Sequence, residues 1–267
     1  MAAGEVSVGV WWASLRDARA ATPLLPALLA PVERARHEAI ARADDRGRFL
    51  LGCALSRIAL GELLGVAPAE VPLRRACPRC GGPHGKPRLA VPHGSPFADV
   101  DFSVTHSGDV VGVAVARGAA VGLDVEESGS GAALDVDTVA PVALTDAEFA
   151  ALNARPPAER ASAFLGVWTR KEAVLKALGV GLTVPPRRLE VSVPPLPPTV
   201  LSWPTQPPPP QALTMADVAV MTGPGRPPAL ATLAATGATA LRAHHHDGTA
   251  ELTAHADSTP PPRPATP

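Results

Sequence analysis

The chain has 267 residues, 46% of them hydrophobic, which is enough for one large domain or two small ones with filled cores. A formal net charge of -1 excludes a global field for nucleic acid, so an anionic ligand has to be held by local basic residues. Three cysteines with no charged-then-apolar leader argue against a secreted disulfide framework, and charges, Gly or Pro interrupt every apolar run before the roughly 20 residues of a membrane span. A soluble, cytoplasmic protein is expected.

In chain order, Val6 to Trp12 alternates weakly and reads as an opening strand, and Pro31 starts a charged helical region containing Glu33, Arg34, Arg36 and His37. From Asp44 to Leu64, Phe49, Leu50, Leu55, Ile58 and Leu63 recur at helical spacing. Arg46, Arg48 and Arg57 project from that helix or its entry, where arginines taken singly are expected to form a solvated face. Cys77-Pro78-Arg79-Cys80 looks at first like half of a zinc site. The third cysteine, Cys53, falls in the predicted helix, and His84 and His93 complete a set only on paper, so a tight Gly- and Pro-built loop is expected.

The middle of the chain carries most of the information. Val100 to Val104 alternates as a half-buried strand, Thr105 to Asp109 reads as a polar turn, and Val110 to Val115 is a second strand. In the third, Val121 to Glu126, a period of two puts Val121, Leu123 and Val125 on one face and Asp124 and Glu126 on the other. Two carboxylates so placed repel each other unless something positive lies between them. A hard cation such as Mg²⁺ meets that need, but an acidic solvated edge is the competing reading, and the residues alone leave both open.

Thr145-Asp146-Ala147-Glu148 is a capping box that starts a short helix; Pro156-Pro157 precedes a longer one that runs to Leu178 and is ended by Gly179 and Gly181. Its apolar stripe includes Phe164, Val167, Trp168, Val174 and Leu175. Glu172 and Lys176, four apart, fit a simple salt bridge, whereas Lys171 inside the stripe needs water or an anion and hints at a phosphate. The prolines of Pro194 to Pro210 suggest a surface loop and those of Pro260 to Pro262 a disordered tail.

Three blocks now stand together: Phe102-Ser103-Val104-Thr105-His106-Ser107-Gly108, Val121 to Glu126, and Trp168-Thr169-Arg170-Lys171-Glu172-Ala173-Val174-Leu175-Lys176 to Gly179. In this order and spacing the chain resembles the 4'-phosphopantetheinyl transferases of the surfactin-synthetase-activating type, well over Glu33 to Leu182 and faintly beyond. The resemblance implies an α+β fold of two similar halves in a pseudo-twofold arrangement, with the active site in the cleft between them. The halves would be residues 1–120, with the coenzyme A nucleotide contacts, and 121–255, with the metal and catalytic helix; 256–267 would be the tail. It further implies Mg²⁺ on Asp124, Glu126 and Glu172. Coenzyme A would meet Arg48, Lys86, His106, Ser107, Lys171 and Lys176, with Glu172, directly or through a metal-bound water, as the catalytic base and Lys176 as the acid.

The implied reaction moves 4'-phosphopantetheine from coenzyme A to a serine of an acyl or peptidyl carrier protein of fatty-acid, polyketide or nonribosomal peptide synthesis, a holo-[acyl-carrier-protein] synthase activity. A monomer is expected, a pseudo-dimer within one chain, with no nucleic-acid or membrane partner. Two competing readings are an Mg²⁺-dependent hydrolase of coenzyme A or a nucleotide and a zinc-dependent interaction module on Cys77 and Cys80. His84, where bacterial relatives often have an aromatic, departs from the pattern.

Overall fold

A computed structural model of the chain describes residues 4–76, 80–82, 85–129, 136–203, 212–221, 223 and 225–258. The strands are β1 (Glu5–Ser14), β2 (Leu73–Arg75), β3 (Pro87–Leu89), β4 (Val100–Ser107), β5 (Val110–Arg117), β6 (Val121–Glu127), β7 (Glu190–Val191), β8 (Val200–Ser202), β9 (Leu213–Val218), β10 (Ala229–Thr236) and β11 (Ala240–Asp247). The helices are α1 (Pro31–Ala39), α2 (Ala43–Leu64), α3 (Val136–Ala143), α4 (Asp146–Asn153), α5 (Pro157–Leu178) and α6 (Gly248–Ser258). The mixed α+β class expected from the sequence is what forms.

Two sheets carry the architecture, one in the order β11-β1-β5-β4 and one in the order β6-β10-β9. β1 explains its own weak alternation, because both of its faces are covered. Val8, Val10 and Trp12 enter a cluster with Val121, Leu123 and Val125 of β6, while Trp11 and Ala13 enter a second cluster with Leu50, Leu51 and Leu55 of α2. α5 covers the other sheet with Phe164, Val174 and Leu175, packed with Met215 and Ala234. Its start at Pro157 and its left-handed Gly179, φ 67°, are the punctuation read from the sequence.

Among the described strands β6 has β10 on one edge only, and its other edge is satisfied by side chains. The alternate β4 residues Asp101, Ser103, Thr105 and Ser107 accept hydrogen bonds from the N–H groups of Val121, Leu123, Val125 and Glu127 at 2.8, 3.0, 3.1 and 3.1 Å. A row of oxygens two residues apart thus matches the repeat of the strand facing it and closes an edge that would otherwise hold unpaired donors. The same row explains why β4 runs to Ser107, past the turn expected at Thr105, so that only Gly108, at φ 54°, and Asp109 remain to turn the chain.

Other expectations change. Arg57 is not on a solvated face: its side chain is 1% exposed, pairs with Glu33 at 2.8 Å and donates to the carbonyls of Pro68, Ala69 and Val71. β11 pairs in parallel with β1 and α6 packs on α2, so the chain's last elements return to the sheet formed by its first 120 residues, across the boundary expected between the halves. α6 also takes in residues 256–258 of the expected tail, and 259–267 lie outside the described residues. Within the Pro-rich stretch, Val200–Ser202 pairs with β7, while residues 204–210 lie outside the described residues. So do Cys77 and His84; Cys80 is exposed and Cys53 is buried.

Candidate active site

A cavity of about 660 Å³ is walled by α2, the β2–β3 ribbon, β4 and the C-terminal end of α5. Arg36, Arg48, Arg75, Lys86 and Lys176 line it against Glu33 and Glu172, an excess of positive charge that suits an anionic ligand. Such a cluster is invisible in a net charge of -1.

Arg48, from the second turn of α2, is oriented by the Gly108 carbonyl at 2.6 Å and the Asp45 carboxylate at 2.5 Å. Lys86 rests on Asp101 and on the Val121 carbonyl at 2.7 Å, and burial pulls its pKa down despite the attraction of Asp101. His106 opens into the cavity. Crowding by protein lowers its pKa, and the charges of Lys176 and Arg48 lower it further, so two cationic side chains flank one imidazole that favours its neutral form. Lys176 Nζ donates to Asp124 Oδ1 at 2.7 Å and to the Leu123 carbonyl at 3.1 Å. Among the described ion pairs its partner is Asp124, so the salt bridge to Glu172 expected from helical spacing is not the one that forms.

The three carboxylates meet where α5 crosses β6. Burial raises the pKa of Asp124, with Lys176 acting against it. Burial raises that of Glu126 too, Asp124 adds to the rise, and hydrogen bonds from Ser107 and Trp168 oppose it. Glu172 is raised by burial, then by Asp124, and more weakly by Glu126. Glu172 lines the cavity; Asp124 and Glu126 are not among the lining residues and sit behind Lys176 on β6.

Among the described residues, Asp124 Oδ2 and Glu172 Oε1 are buried without a hydrogen-bond partner. Two orphaned oxygens within a set of mutually repelling carboxylates are costly, and a hard cation with oxygen ligands is the group that relieves them. The donor set therefore fits Mg²⁺ in chemistry, although among the described residues no three His, Cys, Asp or Glu side chains are already arranged to hold a metal ion.

Two expected ligand contacts are placed otherwise. Lys171 does not reach the cavity: its side chain is 0% exposed and its Nζ is held by Glu148 at 2.5 Å and by the carbonyls of Ala143 and Pro186 at 2.8 and 2.9 Å. The ammonium in the apolar stripe finds a carboxylate from the α4 capping box where a phosphate was expected. Ser107 likewise gives its hydroxyl proton to Glu126 Oε2 at 2.7 Å and is not among the lining residues. The cavity's Arg36 and Arg75 had no sequence signal beyond being basic, and Arg36 sits in the charged helical region that begins at Pro31.

The α+β chain thus sets a cavity rich in basic side chains beside buried carboxylates, an arrangement that suits an anionic ligand. Residues 120–220 match the sequence profile of the 4'-phosphopantetheinyl transferase superfamily. The chain is similar to the human L-aminoadipate-semialdehyde dehydrogenase-phosphopantetheinyl transferase, at 26% identity over 71% of this chain and 60% of that protein. It is similar also to the 4'-phosphopantetheinyl transferase HetI of Nostoc sp., at 29% over 66% and 70%, and to the 4'-phosphopantetheinyl transferase of Bacillus subtilis, at 28% over 53% and 56%. The chain is thus similar to members of the 4'-phosphopantetheinyl transferase superfamily, with the profile match confined to residues 120–220. It spans about 60% of the length of the human relative it matches.

Proposed function

We propose that the protein transfers the 4'-phosphopantetheine arm of coenzyme A to a serine of an apo acyl or peptidyl carrier protein, with Mg²⁺, and releases adenosine 3',5'-bisphosphate. We read it as a monomeric, cytoplasmic enzyme of the surfactin-synthetase-activating type. The observation that carries this reading is the contact between a cavity lined by Arg48, Lys86, His106 and Lys176 and carboxylates of which Asp124 and Glu172 each keep one buried oxygen without a donor among the described residues.

Asp124, Glu126 and Glu172 would hold Mg²⁺, which when bound would offset negative charge on the pyrophosphate oxygens. Arg48 and Lys86 bind the nucleotide end, and His106 faces the phosphates. In the reaction the serine Oγ bonds to the β-phosphorus, the bond from that phosphorus to the oxygen bridging the two phosphates breaks, and the serine proton passes to a base. Glu172 is that base in this account: its pKa is displaced upward by burial and by Asp124, the direction a carboxylate needs to accept a proton near neutral pH. Lys176 neutralises the leaving phosphate and donates a proton to it.

Chromatographic detection of adenosine 3',5'-bisphosphate tests the reading. Release that requires both Mg²⁺ and an apo carrier is expected. Release without a carrier would make the protein a hydrolase, and no release with a panel of fatty-acid, polyketide and nonribosomal peptide carriers would contradict the proposal.

A further inference from the structure

We infer that Ser107, and more weakly Thr105, are positioning residues that aim the carboxylates of Glu126 and Asp124; the inference rests on the metal reading above. A hydroxyl has one proton and can accept on its lone pairs, so fixing what it accepts decides where the proton points. Ser107 Oγ accepts the Glu127 N–H at 3.1 Å and donates to Glu126 Oε2 at 2.7 Å. The N–H belongs to a strand whose direction is fixed by its ladder with β10, so it keeps pointing toward β4. Glu126 is therefore gripped by a donor whose direction the backbone sets.

Thr105 repeats the arrangement two residues earlier, accepting from Val125 N at 3.1 Å and donating to Asp124 Oδ1 at 3.3 Å, an oxygen it shares with Lys176. Each carboxylate so held commits one oxygen to the seam between β4 and β6, and in Asp124 the other, Oδ2, is left buried without a donor. The seam contains its own control. Ser103 accepts from Leu123 N at 3.0 Å in the same way, but the corresponding β6 position is Gly122, which has no side chain to hold. Ser103 thus has the structural half of the role without the aiming half.

The test uses the full chain and Mn²⁺ as probe, followed by electron paramagnetic resonance titration, with melting curves alongside. Ser107→Ala should weaken Mn²⁺ binding about tenfold or more, Ser107→Thr should restore it to within about threefold, and Thr105→Val should lose less than Ser107→Ala. Ser103→Ala should lower the melting temperature about as much as Ser107→Ala and leave Mn²⁺ affinity unchanged. Equal melting losses with no change in Mn²⁺ affinity in any variant would overturn the inference while leaving the metal site standing. A wild-type chain that binds no Mn²⁺ would overturn the metal assignment, and this inference with it.

Discussion

Replacing Lys171 with Met should unfold the protein more easily while leaving the cavity as it is. Lys171 and Glu148 are 0% and 1% exposed, and Glu148 also accepts from Thr145 N at 2.7 Å and Val191 N at 2.8 Å, so α4, α5 and β7 all meet at this pair. Burial nevertheless outweighs the attraction of Glu148 and lowers the lysine pKa, so the intact pair contributes less than its geometry suggests. Removing one partner is different, because it strands a buried carboxylate at a cost of about 3–5 kcal/mol. At roughly 2–4 °C per kcal/mol for a chain of this size, the melting temperature should fall by roughly 6–20 °C. The double variant Lys171→Met with Glu148→Gln should recover part of that loss, since the stranded charge is gone. Thermal melts followed by circular dichroism measure the first effect, and calorimetric titration with coenzyme A below the transition should give wild-type affinity. An unchanged melt with weakened coenzyme A binding would refute the reasoning and restore the phosphate contact.

Asp124→Asn should hold or raise the metal-free melting temperature at pH 7 and abolish most Mg²⁺-dependent product release. A carboxyl with a raised folded pKa contributes stability below its unfolded pKa and loses it as pH rises through the folded value, so the ionised group is a burden at neutral pH. Lys176→Met should lower kcat on the order of a hundredfold, with coenzyme A affinity less affected and poor rescue by Arg, whose pKa is too high to donate a proton readily; steady-state kinetics and titration separate the two. His106 has a lowered pKa, so its contribution is present above its unfolded value and lost as pH falls through the folded one. Melts from pH 7.5 down should therefore decline less steeply in His106→Gln than in wild type.

The parts of the molecule fixed by local pattern were readable from the sequence. The α5 boundaries follow from Pro157 and Gly179, and β6 shows its Val121, Leu123 and Val125 face through a period of two. What the sequence hid depends on contacts between distant segments. Arg57 looks like an ordinary helix charge until Glu33 arrives from 24 residues away, and Lys171, which the apolar stripe marks as needing an anion, finds that anion in Glu148 of another helix, which no local pattern names. The turn expected at Thr105 failed because its hydroxyl serves β6, a role that polarity alone does not announce. β11 had no visible partner because its neighbour, β1, lies at the opposite end of the chain. The site divides in the same way: the carboxylate pair on β6 and the Glu172–Lys176 spacing were legible, but Lys176's choice of Asp124 over Glu172 needed the helix laid on the strand.

The most direct test of the central claim is the intact mass of an apo carrier protein after incubation with coenzyme A, Mg²⁺ and either the wild-type chain or Glu172→Gln. The account predicts that wild type adds the mass of one phosphopantetheine at the carrier serine, that EDTA prevents it, and that Glu172→Gln adds little in the same time. A carrier left unmodified by the wild-type protein across the panel, or modified equally well by Glu172→Gln, would contradict it.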